Sequence, residues 1–264
     1  MMTYLNSSQH QDWENNGYLK LSGFFNADEV DNLQSWVSNI STWETTTDKW
    51  MHHYESTPDG ARLSRSENFV PYHDKLKDTV TSGKVIDVVS EVMNEPAILY
   101  KEKINYKYPG GGGYVAHQDA PAYEFVDFHI TCLISVDAST PESGCLYFAS
   151  GRHQEGVIAL DENGCVSPET ADTMTWTCVP TDPGDILLFG SYIPHKSPPN
   201  RSDEPRRIIY LTYNPKSQGN WREKYYDDKR KAFAEYVKDG TNRDGQISKI
   251  AHFRGKSIKN AKSN

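Results

Sequence analysis

The apolar positions in the first third of the chain repeat with the period of helices. Asn26 begins a capping sequence, and the run behind it places its large apolar side chains on one helical face, namely Val30, Leu33, Trp36 and Val37. A second helix is predicted over about residues 84–93, where four valines are spaced to bury one side. Residues 42–72 are polar and aromatic without a clear period, which is typical of a lid or a pocket rim.

From residue 97 onward the period becomes that of strands. Residues 98–108 alternate, so one predicted face carries Lys101, Lys103, Asn105 and Lys107, and the other carries Tyr100, Glu102, Ile104 and Tyr106. Further strands are predicted at residues 114–117, 128–136, 145–149, 175–179, 185–189 and 207–213. Short strands separated by Gly, Pro and Asp turns predict a β-sandwich or jelly roll. An amphipathic helix over about residues 221–236 is expected to pack on the outside of the sheets.

These patterns predict one domain over residues 1–264, because no linker interrupts them. A helical, lid-forming part is expected at residues 1–96, a jelly-roll core at 97–215, and a C-terminal helix with a tail at 216–264. The chain is 36% hydrophobic, which permits a sizeable core. The fold class is therefore expected to be mainly β with flanking helices.

Charge and composition narrow the range of partners. The net charge of −8 gives no basic field for nucleic acid, and no apolar stretch reaches the roughly 20 residues that span a bilayer. The four cysteines form no C-x-x-C pair, and the first residues lack the pattern of a signal peptide. Reduced thiols and a cytoplasmic location are therefore expected, with a small molecule as partner. The pattern carries no information on oligomeric state.

The triplet His117-Gln118-Asp119 is the first candidate for a metal site. Residues i and i+2 of a strand share a face, so the imidazole and the carboxylate can reach one ion. His195 follows the predicted strand at 185–189 and is the best candidate for a third ligand. Such a facial triad suits non-haem Fe(II), because it leaves positions for a cosubstrate and O₂. A chance triplet and a histidine that holds a turn explain each motif taken alone; their combination favours the metal.

A cosubstrate site is predicted beside this triad. Activation of O₂ at Fe(II) requires electrons, and decarboxylation of a chelating 2-oxo acid supplies them. The distal carboxylate then needs a fixed cation, and Arg206 offers a bidentate fork close to His195 in sequence. Ser197 offers a hydroxyl to the same carboxylate, whereas Arg207 points to the opposite side. A surface salt bridge is the alternative role for Arg206.

Several segments together resemble the phytanoyl-CoA dioxygenase family, over most of the chain. They are His117-Gln-Asp119, Ser143-Gly-Cys-Leu146, Ser150-Gly-Arg-His153, Pro183-Gly-Asp185, His195-Lys-Ser197 and Pro205-Arg206. The resemblance implies a double-stranded β-helix, a cupin-like jelly roll, with Fe(II) held by His117, Asp119 and His195. It further implies that Ser197 and Arg206 bind 2-oxoglutarate.

Residues 103–107 are similar to a segment of ectoine hydroxylases in the same superfamily. That similarity makes Asn105 a further candidate to contact 2-oxoglutarate. Related halogenases have a small residue in place of the carboxylate, so the presence of Asp119 implies hydroxylation, with release of succinate and CO₂. His129 alternates with apolar neighbours in a predicted strand, which favours a satisfied core position over a pocket position.

The substrate is predicted from a group of cations. Two lie on the face expected to line the pocket and two in the segment expected to cover it: Lys101, Lys103, Arg62 and Arg65. They suit a small anionic or zwitterionic substrate, unless they are solvated or paired with Glu67 and Glu102. Residues 107–122 resemble the 2-aminoethylphosphonate dioxygenase branch, which implies hydroxylation of an aminoalkylphosphonate at C1.

Other functions stay open at this point. The substrate can instead be an acyl-CoA, an amino acid or a natural-product intermediate. A cupin-like metal enzyme that needs no 2-oxo acid has the same architecture. A protein of another class, a non-catalytic jelly-roll binding protein, would use the same histidines structurally.

Overall fold

The structure is a computed structural model that describes residues 3–57, 60–123 and 125–238. Within these ranges the chain forms six α-helices and eleven β-strands. The helices are α1 Ser7–Asn16, α2 Ala27–Ser41, α3 Asp74–Thr81, α4 Lys84–Met93, α5 Pro168–Asp172 and α6 Arg222–Lys238. The strands are β1 Tyr18–Leu21, β2 Met51–Thr57, β3 Gly60–Glu67, β4 Ala97–Lys107, β5 Tyr114–His117, β6 Ile130–Ser135, β7 Leu146–Phe148, β8 Thr177–Val179, β9 Ile186–Gly190, β10 His195–Ser197 and β11 Arg206–Pro215.

Two antiparallel sheets make up the β structure. The larger has seven strands in the order β1-β9-β6-β11-β4-β3-β2, and the smaller has four in the order β5-β10-β7-β8. Leu133 and Phe189 of the large sheet pack with Phe148 of the small sheet in one buried cluster between them. The predicted fold class, a mainly β jelly roll with flanking helices, is confirmed.

Helices cover the outer face of the large sheet. Leu33 and Val37 of α2 and Val85 of α4 share a buried cluster with Ile104 and Ile209 of the sheet. The predicted start of α2 is confirmed by a capping box: Glu29 N donates to Asn26 Oδ1 at 3.0 Å, and Asn26 N donates to a Glu29 carboxylate oxygen at 2.8 Å. The predicted helix at 84–93 is also confirmed. The helices α1 and α3 were not predicted.

The expectation of an irregular segment at residues 42–72 is wrong for its middle part. Strands β2 and β3 form a hairpin that pairs with β4 through Arg65, Ser66 and Glu67. The alternation was hidden because β3 carries polar side chains on both faces, and they are buried there by partners from other elements. Together with β1, the N-terminal part therefore adds three strands to the large sheet.

A bulge in β4 changes the face of one predicted residue. Thr212 pairs with Lys101 and Tyr213 pairs with Leu99, so Tyr100 is left between two paired positions. The Tyr100 ring lies 5.5 Å from that of Tyr123, an aromatic neighbour that it shares with Lys101. The prediction that Tyr100 shares a face with Glu102 is therefore wrong, because one extra residue redirects a side chain.

The C-terminal helix α6 packs against β3 and β4. Arg222 forms an ion pair with Glu102, and Lys229 forms one with Glu67. The Tyr226 hydroxyl lies 3.0 Å from the Glu102 backbone nitrogen. Since both carboxylates are buried, these pairs hold the helix against the large sheet. None of the helices in the described ranges is both long and apolar enough to cross a bilayer.

Candidate active site

One group of potential metal ligands lies between the sheets. The ligand atoms of His117, Asp119 and His195 are all within 4.8 Å of one another, and no other such group of three occurs in the described ranges. His117 on β5 and His195 on β10 are register partners with ring centroids 4.1 Å apart. Asp119 lies two residues beyond the end of β5, where a short 3-10 helix over Ala120–Ala122 begins, and not in the strand as expected. The spacing of two residues in the triplet thus combines with one long-range strand pair to form the group.

Hydrogen bonds orient both imidazoles. Nδ1 of His117 lies 2.7 Å from the carbonyl oxygen of Val115, and Nδ1 of His195 lies 3.0 Å from that of Ile193. A carbonyl only accepts, so each Nδ1 carries the proton and each Nε2 is left as a metal ligand.

The charges of the three ligands also suit a metal ion. Burial lowers the pKa of His117 to about 3 and lowers that of His195, so both rings are neutral at neutral pH. Burial alone would raise the pKa of Asp119, but the imidazoles and the ammonium groups of Lys103 and Lys101 lower it to about 2. Two neutral imidazoles and one carboxylate on a single face are the donor set of non-haem Fe(II).

Arg206 has the geometry of a carboxylate receptor. It is 1% exposed, and its Nη1 donates to the carbonyl oxygen of Gly144 at 2.6 Å and to Ser139 Oγ at 3.1 Å. Its Nε and Nη2 are buried without a hydrogen-bond partner. These two donors form one edge of the guanidinium, and a carboxylate satisfies that edge with two parallel hydrogen bonds. The distal carboxylate of 2-oxoglutarate therefore fits this position.

Lys107 is a second basic residue at this position, and the sequence-based site did not include it. Its Nζ donates to Ser197 Oγ at 2.7 Å, and Ser197 Oγ donates to the Gly144 carbonyl at 2.7 Å. Burial, together with Arg206, lowers the pKa of Lys107 to about 6. Lys107 lies opposite Arg206 in the β4–β11 register, but the register of two strands cannot be predicted from the sequence of one of them.

Gly144 is a position where a side chain is not tolerated. Its φ is +77°, and a Cβ there would collide with the carbonyl oxygen of Pro198 and lie 3.0 Å from Lys107 Nζ. We expect Gly144→Ala to lower the free energy of unfolding by about 2–4 kcal/mol and to raise the KM for 2-oxoglutarate. Gly110→Ala is the matched control, because Gly110 has the same φ of +77° and open space at the Cβ position. Equal losses of unfolding free energy in the two variants would contradict the steric explanation.

The four predicted cations do not all reach the same place. Arg65 Nε donates to Asn105 Oδ1 at 3.1 Å and its Nη2 to the Tyr114 hydroxyl at 2.9 Å, so Arg65 lies beside the Asn105 candidate. Arg62 lies farther out on the β2–β3 hairpin, 5.9 Å from the ring centroid of Tyr108. The structure thus does not bring Arg62 together with the other three, because β3 pairs with β4 only from Arg65 onward.

Lys101 and Lys103 do face the metal ligands. Lys101 Nζ is 4.6 Å from the ring centroid of Tyr123, and Lys103 Nζ is 5.0 Å from that of Tyr210. Burial lowers the pKa of both lysines, and the Asp119 carboxylate opposes this effect in both. Arg207 lies on the opposite side of β11, as predicted, and pairs with Asp137 at 2.7 Å.

The satisfied core position expected for His129 is wrong. The side chain is buried, but neither ring nitrogen has a hydrogen-bond partner. Its ring centroid is 4.1 Å from that of Tyr123, and the charges of Lys101 and Asp119 act on it. The sequence pattern could not reveal that the ring lacks partners. A central strand is covered on both faces, so its residues are apolar whichever way they point.

The register of the large sheet separates two ends of the pocket. In the β4–β11 register, Lys107 lies opposite Arg206 at one end, and Lys101 lies opposite Thr212 at the other. The rise of a strand places these pairs about 20 Å apart. The Asp119 carboxylate acts electrostatically on Lys101 and Lys103, which places the lysine end of the pocket on the side of the metal ligands.

Comparisons with known proteins agree with this geometry. Residues 13–208 match the model of a family described as phytanoyl-CoA dioxygenase (PhyH). The chain is 54% identical over 256 residues to a methylphosphonate hydroxylase of Gimesia maris, covering 97% of this chain and 98% of that protein. It is 42% identical over 236 residues to a 2-aminoethylphosphonate dioxygenase of the uncultured bacterium HF130_AEPn_1, covering 88% and 90%.

Solved structures share the fold at low identity. EctD from S. alaskensis with 2-oxoglutarate and 5-hydroxyectoine superposes with a TM-score of 0.69 and 19% identity, covering 83% of this chain and 80% of that one. The epimerase SnoN in complex with Fe³⁺, α-ketoglutarate and nogalamycin RO superposes with a TM-score of 0.68 and 17% identity, covering 79% and 82%.

Proposed function

The chain belongs to the phytanoyl-CoA dioxygenase family, and from that premise we propose that it hydroxylates a small phosphonate at the carbon bonded to phosphorus. It is a non-haem iron oxygenase that uses 2-oxoglutarate and O₂. The observation that carries the proposal is the pair of lysines on the inner face of β4, the buried Lys101 and the partly buried Lys103, which both act electrostatically on the Asp119 carboxylate.

In this proposal, the two ends of the pocket bind different molecules. Iron, held by His117, Asp119 and His195, supplies the oxidising chemistry once 2-oxoglutarate and O₂ are bound. Arg206 holds the distal carboxylate of 2-oxoglutarate through the donor edge that has no protein partner. The phosphonate then occupies the lysine end, where its charge is matched by buried ammonium groups.

The walls of the lysine end favour a small substrate. Tyr100, Tyr123 and Tyr225 are buried and share one cluster, and α6 brings Tyr225 to it. The rings of Tyr123 and Tyr225 lie 4.6 and 5.7 Å from the ammonium of Lys101. An enclosed aromatic and cationic site supports methylphosphonate or 2-aminoethylphosphonate more than an acyl thioester.

The direct test is a substrate panel. Purified protein with Fe(II), ascorbate and 2-oxoglutarate is given methylphosphonate, 2-aminoethylphosphonate, an amino acid or an acyl thioester. We expect a phosphonate to stimulate succinate release, with an equal amount of 1-hydroxyphosphonate detected by phosphorus NMR. Stimulation by the amino acid or the thioester alone would contradict the proposal. Oxygen uptake without 2-oxoglutarate would support an enzyme that needs no 2-oxo acid.

A charge-removing variant tests the assignment of the lysine end. We expect Lys101→Met to raise the KM for the phosphonate roughly 10- to 100-fold, because a hydrogen bond to a charged group contributes about 1.5–3 kcal/mol. The KM for 2-oxoglutarate should change little, because Arg206 and Lys101 lie at opposite ends of the paired strands β4 and β11. Lys224→Met, which removes an exposed lysine of α6, is the control. If Lys101→Met changed the KM for 2-oxoglutarate and left the KM for the phosphonate unchanged, the lysine end would be assigned to 2-oxoglutarate instead.

The cellular setting is part of the same proposal. All four cysteines are free thiols in the structure. Free thiols are typical of a reducing compartment, which supports the cytoplasmic location that we propose.

A further inference from the structure

We infer that His129 is a second phosphonate ligand, which donates a hydrogen bond to an oxygen of the group that Lys101 neutralises. The inference rests on the proposed phosphonate substrate and assigns one further contact within its site. His129 directly precedes β6, and its backbone is fixed by hydrogen bonds to and from Ser191, at 3.2 Å from His129 N and 2.9 Å to His129 O. The position of the ring is therefore set by the sheet.

The ring of His129 differs from the other described histidines. It is 1% exposed, and it is the one histidine in the described ranges for which both ring nitrogens are buried without a hydrogen-bond partner. His117 and His195, by comparison, each donate from Nδ1 to a backbone carbonyl. A buried polar group without a partner costs about 1–3 kcal/mol, so a ligand that satisfies it gains binding free energy.

The neighbours of His129 define the chemistry of that ligand. The rings of Tyr123 and Tyr100 lie 4.1 and 4.9 Å from it, and the ammonium of Lys101 and the carboxylate of Asp119 act on it electrostatically. An ammonium ligand would be repelled by Lys101, whereas an anionic oxygen is attracted to Lys101 and accepts the N–H of the ring. The rings of Tyr100 and Tyr123 contact each other edge to face with centroids 5.5 Å apart, which keeps the aromatic wall in place.

A phosphonate satisfies the donor nitrogen of the ring. Burial, followed by Lys101, lowers the pKa of His129 to about 3, so the ring is neutral and has one donor and one acceptor. A phosphonate oxygen accepts from the donor nitrogen, whereas the other ring nitrogen points away from that group because the two nitrogens of an imidazole diverge. The Asp119 carboxylate acts electrostatically on both Lys101 and His129, so a phosphorus group held by these two residues lies on the side of the pocket that carries the metal ligands.

The test compares three substitutions at this position. His129→Phe keeps an aromatic ring between Tyr100 and Tyr123 but removes the hydrogen bond to the phosphonate, whereas His129→Asn and His129→Gln keep a donor. The readout is the metal-to-ligand absorption band of the Fe(II)–2-oxoglutarate complex and its change on titration with methylphosphonate and 2-aminoethylphosphonate. We expect His129→Phe to form the band as the wild type does and to raise the phosphonate Kd about 10- to 100-fold. We expect Asn or Gln to recover part of that loss.

The outcomes separate this inference from the proposed function. If the wild-type band responds to a phosphonate and His129→Phe gives the same Kd, phosphonate binding stands and the role of His129 is refuted. If His129→Asn and His129→Gln form the band but bind phosphonate no better than His129→Phe, hydrogen bonding by the ring is also refuted. If no phosphonate perturbs the wild-type band, while Fe(II) and 2-oxoglutarate bind, the proposed substrate class itself fails.

Discussion

His195→Ala is expected to abolish Fe(II) binding and to reduce phosphonate-dependent succinate release by at least roughly 1,000-fold, a loss of about 4 kcal/mol in transition-state stabilisation. His195 is one of only two imidazoles in the group, and its Nε2 is oriented by the Nδ1 contact with Ile193 at 3.0 Å. Removing it leaves a ligand pair on one side of the ion. Iron content after dialysis and the 2-oxoglutarate absorption band provide the measurements.

A histidine outside the site serves as the control for this experiment. The side chain of His10 on α1 is 42% exposed, and its Nε2 lies 3.2 Å from a carboxylate oxygen of Glu91 on α4. His10→Ala should therefore keep wild-type iron content and activity. Tight Fe(II) binding by His195→Ala would contradict the assignment of the metal ligands and would favour a structural role for the histidines, as in a non-catalytic binding protein.

Arg206→Lys is expected to raise the KM for 2-oxoglutarate about 10- to 100-fold, although the charge is kept. The reason is geometric. The Nε and Nη2 edge of Arg206 offers two parallel donors to a carboxylate, whereas an ammonium group offers a single point of attachment. The KM for the phosphonate should change much less, because Lys101 pairs with Thr212 at the opposite end of the β4–β11 register.

The neighbouring arginine provides a control on the same strand. Arg207 points to the other face of β11 and donates to both Asp137 carboxylate oxygens at 2.7 Å. Arg207→Lys makes the same chemical change at the next position, so it should leave the KM for 2-oxoglutarate unchanged. Succinate assays over a range of 2-oxoglutarate concentrations measure both variants. Equal effects of the two substitutions would show that Arg206 acts through the stability of the strand rather than through the cosubstrate.

The two ends of the pocket are built from different parts of the chain. The Arg206 end is built from β4, β11 and the Gly144 turn, and its donors are organised around one backbone carbonyl. The Lys101 end is built from β4, the residue before β6, and α6. Substitutions at one end should therefore affect 2-oxoglutarate and those at the other the phosphonate.

Parts of the site were predictable because they depend on local geometry. His117 and Asp119 lie only two residues apart, so both reach one ion although β5 ends at His117. The two-residue period of a strand separated Arg206 from Arg207. The placement of Lys101 and Lys103 on one face of β4 followed from the same alternation. His195 was predictable from its position after a strand and from the family resemblance, although that resemblance did not supply the contact with Ile193.

Other parts depend on which strands become neighbours. The face of Tyr100 is set by a bulge opposite β11, and a single extra residue reverses the side on which a side chain lies. The β2–β3 hairpin was missed because its inward side chains are polar and find buried partners, such as Asn105 for Arg65. Hydrophobic period cannot reveal a strand whose buried face is made of charges.

Local patterns were enough to predict the mainly β fold with flanking helices, the α2 cap, the ligand triplet and the inward-facing arginine, because each depends on neighbours within a few residues. Strand neighbours far apart in the chain set three further features: Lys107 lies beside Arg206, Arg62 lies away from the site, and both ring nitrogens of His129 lack a partner. These contacts join positions far apart in the chain. They follow from the strand order and register of the large sheet, which the free energy of the whole fold selects.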